Sequence, residues 1–206
     1  MFIRNEPFRL FIKLYPITAA ILAINTVIYL LLFVCSWLGI APEYAYKIFQ
    51  LLIGSNAAIH QGAWWQFITP IFLHVTFSHY LFNTFTIFIF APALEGLLGK
   101  TRFIAAYLGT GVISNIFGFL LEPMGFSHYG ASSAIFGLFG VYLFLIIFHR
   151  HLITKQDQTI IIVFLVIDLI STFVYQNIDI MGHFTGFLAG LLLAPLLLAR
   201  QRLAKK

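Results

Sequence analysis

Residues 128–140 read HYGASSAIFGLFG, and the run continues VYLFLIIF to Phe148. From Gly130 to Phe148 no side chain is charged, and glycines recur at 137 and 140. A helix this apolar on all sides lies in a large core or in a bilayer. The whole chain decides between them. Its 206 residues are 61% hydrophobic and 9% charged, with a mean hydropathy of +0.95, whereas soluble domains carry about 25% charged residues. The sequence therefore reads as an all-α membrane protein. A spanning helix needs roughly 20 apolar residues, and six segments qualify: about 16–38, 78–98, 103–121, 132–149, 159–176 and 181–199. No composition break or repeat divides them, so residues 1–206 read as one membrane domain with short tails.

The opening MFIRNEPFRLFIKLYP shows no small-residue cleavage site, and the apolar run behind it is too long for the core of a signal peptide. It is expected to remain as the first span. Cys35 is the single cysteine, which excludes an internal disulfide. No Cys/His spacing suggests a metal, and no cofactor is expected.

The net charge of +5 could suggest nucleic acid, but its distribution argues otherwise. With six spans, one side collects Arg4, Arg9, Lys13, Lys100, Arg102, Arg150, Lys155, Arg200, Arg202, Lys205 and Lys206, and the other only Lys47. That asymmetry follows the positive-inside rule and predicts a cell-membrane protein with both termini cytoplasmic. The partner of the basic side is the bilayer, with no nucleic acid. Nothing in the sequence sets an oligomeric state.

Between the first two spans lies a segment of roughly 39–77, which contains APEYAYKIFQLLIGSNAAIHQGAWWQFITPIFLH, residues 41–74. Pro42, Gly54, Gly62 and Pro70 interrupt it, and Trp64 and Trp65 suit a lipid–water boundary. Short helices half-inserted in the outer leaflet are expected.

Polar groups inside spans are costly, so each asks for a reason. Three clusters occur. In HVTFSHYLFN, His79 and Asn83 are four apart and share a helix face; they fit either a hydrogen-bonded helix contact or a site. In GASSA, Ser132 and Ser133 fit either close packing or chemistry. In MGHFTGFLAG, His183 precedes the close-contact spacing Gly186-x-x-x-Gly190 and faces the protein. The second, fourth and sixth spans all start outside, so the three clusters fall in one layer near the outer face. That coincidence points to a shared site. A serine needs a base to become a nucleophile, and imidazole is the usual one. An oxyanion needs preplaced donors, which a helix N-terminus, His79 and Asn83 offer. Asp168 in LVIDLIS is the only acid deep in a span; it fits a helix–helix hydrogen bond or the orienting of His183.

With these motifs together, the sequence resembles the rhomboid intramembrane serine proteases. FLHVTFSHYLFN, GASSAIFGLFG and GHFTGFLAG stand in the family's order, with LEGLLGKTRF between the first two, and the likeness runs from about Gln61 to Gly190. The resemblance implies a six-transmembrane-helix rhomboid-like bundle with a half-inserted loop between helices 1 and 2, and the fifth span as a lateral gate. It also implies a dyad of Ser132 as nucleophile and His183 as base, with His79 and Asn83 on the oxyanion side and His74 in a structural role. Such enzymes cleave transmembrane protein substrates near the outer face through an acyl-enzyme. The alternative is a catalytically inactive rhomboid-like protein that binds transmembrane helices. Two positions depart from the family's pattern. Ser133 replaces the usual glycine after the nucleophile, and Gln66 replaces an arginine after Trp65, which is expected to weaken the bracing of the loop.

Overall fold

The computed structural model describes residues 1–2, 4–39, 41–174 and 178–199. Expectations for Arg200, Arg202, Lys205, Lys206 and the last residues of the fifth span, 175–176, lie outside the described residues. After a short helix α1 (Phe8–Leu14) come α2 (Pro16–Trp37), α3 (Pro42–Leu52), α4 (Asn56–His60), α5 (Phe77–Leu98), α6 (Lys100–Leu121), α7 (Ser132–Phe148), α8 (Lys155–Val174) and α9 (Ile180–Leu198). Five of these, α2, α5, α6, α8 and α9, are long and apolar enough to cross a membrane. The remaining expected span, α7, is apolar but has 17 residues. At 1.5 Å per residue it is roughly 25 Å long, short of the ~30 Å hydrocarbon core.

Helix α7 forms the centre of the bundle. Every residue from Ser133 to Tyr142 is buried, with α5, α6 and α9 around it. Its closest neighbour is α9, and small residues make that approach possible. A Cβ on Gly190 would fall on the Gly137 carbonyl, one on Gly186 on the Ser133 carbonyl, and one on Gly140 on the Phe187 carbonyl. Apolar burial offers little drive between helices in lipid, so close backbone contact supplies it instead. Farther along, the Tyr142 hydroxyl donates to the Phe90 carbonyl at 2.6 Å, joining α7 to α5.

Polar capping fixes the outer helices. Pro16 begins α2 and leaves the next amides without helical partners. Glu95 of α5, itself buried, accepts from the Ile17 and Thr18 amides at 3.0 and 2.8 Å and from the Thr18 hydroxyl at 2.8 Å. Arg102 of α6 donates to Leu197 O at 3.2 Å, near the C-terminus of α9. Glu95→Ala would orphan the buried amide and hydroxyl of Thr18 and the half-buried amide of Ile17. The expected loss is about 3 kcal/mol, read as a lower unfolding midpoint in detergent, with a smaller loss for Glu95→Gln.

Segment 41–74 consists of short helices and 3₁₀ turns (Trp64–Phe67 and Thr69–Phe72), with exposed Trp64, Trp65, Tyr44 and Tyr46. Gln66 itself braces the loop without a charge. Its buried side chain accepts from the Ser55 amide at 3.1 Å and donates to Gln50 O at 3.0 Å, and Trp65 Nε1 donates to Leu51 O at 2.9 Å. A neutral amide with both a donor and an acceptor spans the loop where a guanidinium could only donate. Asn56 donates to the carbonyls of Gly118, Glu122 and Pro123 at the end of α6. A two-residue strand β1 (Gly54–Ser55) pairs antiparallel with β2 (Ser127–His128), placing Gly54 opposite His128. A Cβ on Gly54 would lie 2.5 Å from the His128 ring, so a side chain there would have to displace that ring.

Candidate active site

The turn leading to Ser132 is held from outside its own helix. Gly130 has φ +119°, a conformation that favours glycine, and a Cβ there would lie 2.5 Å from His79 Cε1. Its amide donates to Pro70 O at 2.9 Å. The Ala131 amide donates to His74 Nε2 at 3.4 Å. That bond needs a neutral imidazole, and burial, reinforced by the field of His79, lowers the His74 pKa to about 3. Burial likewise lowers His128, in β2, to about 4.

Ser132 then opens α7 as its first residue and is half-buried. The first amides of a helix have no helical carbonyl to pair with. Ser133 is buried, its backbone packed against Gly186.

His183 sits in the first turn of α9. Asp179 caps this helix by accepting from the Gly182 amide at 2.6 Å. Ser114 of α6 donates to Gly182 O at 2.8 Å, and Thr185 donates to the Ser114 hydroxyl at 3.1 Å. The His183 ring is buried and stacks on Phe136 with centroids 4.3 Å apart and planes at 17°. Phe136 follows Ser132 by one turn on the same helix face. The hydroxyl and the imidazole therefore belong to one corner, where α7 and α9 begin side by side. Among the described residues no hydrogen bond joins them. The Nδ1 atom of His183 is instead 2.7 Å from Thr172 Oγ1 on α8.

His79 packs beside this corner. Its ring lies 5.2 Å from that of His74 and 5.8 Å from that of Tyr129. Asn83 is buried, and its Nδ2 donates to His79 O at 2.8 Å, so one of its two amide protons is held within α5. Among the described residues no hydrogen bond joins Asp168 to His183. Its Oδ1 is buried without a partner, and its backbone carbonyl accepts from Thr172 at 2.8 Å. Neither expected role of the Asp168 carboxylate is filled by that oxygen. Sequence reasoning missed Phe136 and Thr172. Thr172 had a signal, because it stands four residues after Asp168 on the same face of the helix. Among the described residues, no three His, Cys, Asp or Glu side chains group as a metal site would.

Chemically the corner offers a hydroxyl at a helix start, an imidazole stacked on the ring one turn along that helix, and polar groups on His79 and Asn83 of α5. Comparison with known proteins places the chain in a family. The Rhomboid domain family matches residues 61–200. YdcA of Bacillus subtilis, provisionally named a rhomboid protease, is 43% identical over 94% of this chain and 94% of its own. Rhomboid protease GluP of the same bacterium is 37% identical over 69% of this chain and 28% of its own. Rhomboid-like protease 2 of Toxoplasma gondii is 31% identical over 68% of this chain and 50% of its own. The helical bundle, the serine at the start of α7 and the histidine at the start of α9 thus come with extended sequence similarity, and the chain belongs to the rhomboid family.

Proposed function

We propose that this protein is an intramembrane serine endopeptidase that cuts transmembrane segments of other proteins near the outer face of the cell membrane. The whole chain acts as one domain with both termini cytoplasmic, the orientation favoured by the placement of its basic residues. The relatives YdcA and GluP carry protease names, which supports the reaction class. The observation that carries the site assignment is the shared corner of α7 and α9. Ser132 lies one turn from Phe136, and His183 stacks on that same ring.

Ser132 Oγ attacks the carbonyl carbon of the scissile peptide bond as His183 Nε2 takes its proton. The carbonyl oxygen becomes an oxyanion, stabilised by the first amides of α7, the free amide proton of Asn83 and His79. The tetrahedral intermediate collapses as the C–N bond breaks, and His183 returns the proton to the leaving amine. A water then attacks the acyl-enzyme as His183 takes its proton, and the ester bond to Ser132 breaks as His183 passes that proton to Ser132 Oγ, releasing the acid. The 17-residue α7 fits this chemistry, since a helix shorter than the hydrocarbon core has room to start below its surface.

A fluorophosphonate that modifies activated serines tests the assignment. The full-length protein in detergent is expected to label, and labelling is expected to vanish in Ser132→Ala and persist in Ser133→Ala. Persistent labelling of Ser132→Ala would overturn the choice of nucleophile, and an unlabelled wild-type protein would favour an inactive binder of transmembrane helices.

A further inference from the structure

Helix α8 touches the bundle through a narrow stripe. Asp157, Ile161, Asp168 and Thr172 are its buried residues, and their spacing puts them on one face. The opposite face exposes Ile162, Val166, Ile170 and Phe173. Three of the four inward residues are polar, which is unusual in a span. The last of them, Thr172, makes two hydrogen-bond contacts. Its Oγ1 is 2.8 Å from the Asp168 carbonyl oxygen and 2.7 Å from His183 Nδ1.

A threonine hydroxyl has one proton, and a carbonyl oxygen can only accept. If both contacts are hydrogen bonds, the Thr172 proton goes to Asp168 O. Only the lone pairs of Oγ1 then remain for His183, so Nδ1 must carry the imidazole proton. A neutral imidazole protonated at Nδ1 has its lone pair at Nε2. We propose that Thr172 is a positioning residue that fixes the Nδ1–H tautomer of His183 and leaves Nε2 as the base for Ser132. Thr172 fills the place a carboxylate takes in a three-membered catalytic set, without adding a charge inside the membrane. This inference rests on the assignment of Ser132 and His183 above. It adds that the state of the base is set from α8, a helix that carries neither of the two reacting groups.

Two measurements on the full-length protein test this. The first is ¹⁵N NMR of histidine-labelled protein, with the His183 signals assigned by their absence in His183→Ala. The wild type is expected to show a protonated Nδ1 and a bare Nε2, and Thr172→Val is expected to admit the Nε2–H form. The second is cleavage of a labelled transmembrane peptide. Thr172→Val is expected to lower kcat about tenfold, the worth of one neutral hydrogen bond, with KM little changed. Thr172→Ser should restore most of that loss. Thr159→Val is the control, since Thr159 donates to its own helix at Lys155 O and lies on the exposed side.

An Nε2–H tautomer in the wild type would overturn the proposal. So would a Thr172→Val protein with the wild-type tautomer, whatever its activity, or with wild-type kcat. If Thr172→Val does not fold, the wild-type spectrum and Thr172→Ser still decide. The tautomer is read without catalysis, so a failure here is distinct from a failure of the dyad, which would appear as unchanged fluorophosphonate labelling of Ser132→Ala.

Discussion

Ser132→Ala is expected to reduce cleavage of a transmembrane substrate by at least about 10⁴-fold, and His183→Ala by a similar factor. The double variant should be no worse than either single one. A nucleophile and its base act as a unit, so removing the second member costs almost nothing once the first is gone. Product mapping by mass spectrometry in detergent or liposomes gives the measurement. The fold should survive both changes, for different reasons. Ser132 is half-buried and its hydroxyl makes no hydrogen bond among the described residues, so its loss leaves no orphan. His183→Ala removes a ring stacked on Phe136 and frees the oxygen of Thr172, a hydroxyl that keeps its bond to Asp168 O. Ser133→Ala should keep measurable activity. Full cleavage by purified Ser132→Ala would sink the mechanism.

Gly190→Val is expected to have the largest effect on stability. The first added carbon would meet the backbone carbonyl of Gly137, which no rotamer change can move aside. Separating α7 from α9 at this point would loosen the centre of the bundle. The expected loss is about 4 kcal/mol or more, at the upper end for single substitutions. It would appear as failure to purify as a monodisperse species, or as a sharply lower unfolding midpoint. Gly109→Ala on α6 is the matched control. Nothing lies within 4 Å of a Cβ there, and alanine favours a helix by about 1 kcal/mol over glycine. Its midpoint should hold or rise.

The bundle was legible in the sequence because apolar run length alone finds spans, and the six expected segments overlap α2, α5, α6, α7, α8 and α9. The corner was legible because polar residues are rare in such a chain, so Ser132, His183, His79 and Asn83 stand out against hydrocarbon. Three details were hidden. Gln66 looked like the loss of a charge, because a residue type does not reveal that one amide can both donate and accept across a loop. Asp168 drew attention by its charge, while Thr172 one turn later makes the contact with His183; a threonine in a span is inexpensive and reads as ordinary packing. Phe136 was one of 24 phenylalanines, and nothing local separates a ring that seats the histidine from rings that fill the core.

The two-residue pairing of Gly54–Ser55 with Ser127–His128 bears on how this protein could be rebuilt. Pro70 and His74 hold the amides of Gly130 and Ala131, so the nucleophile's turn rests on the segment that precedes α5. A chimera that exchanges residues 41–74 with those of another family member, while keeping its own 126–132, would set a foreign foundation under the serine. The transplantable unit is the two pieces together, and grafting either alone should give a folded but inert protein.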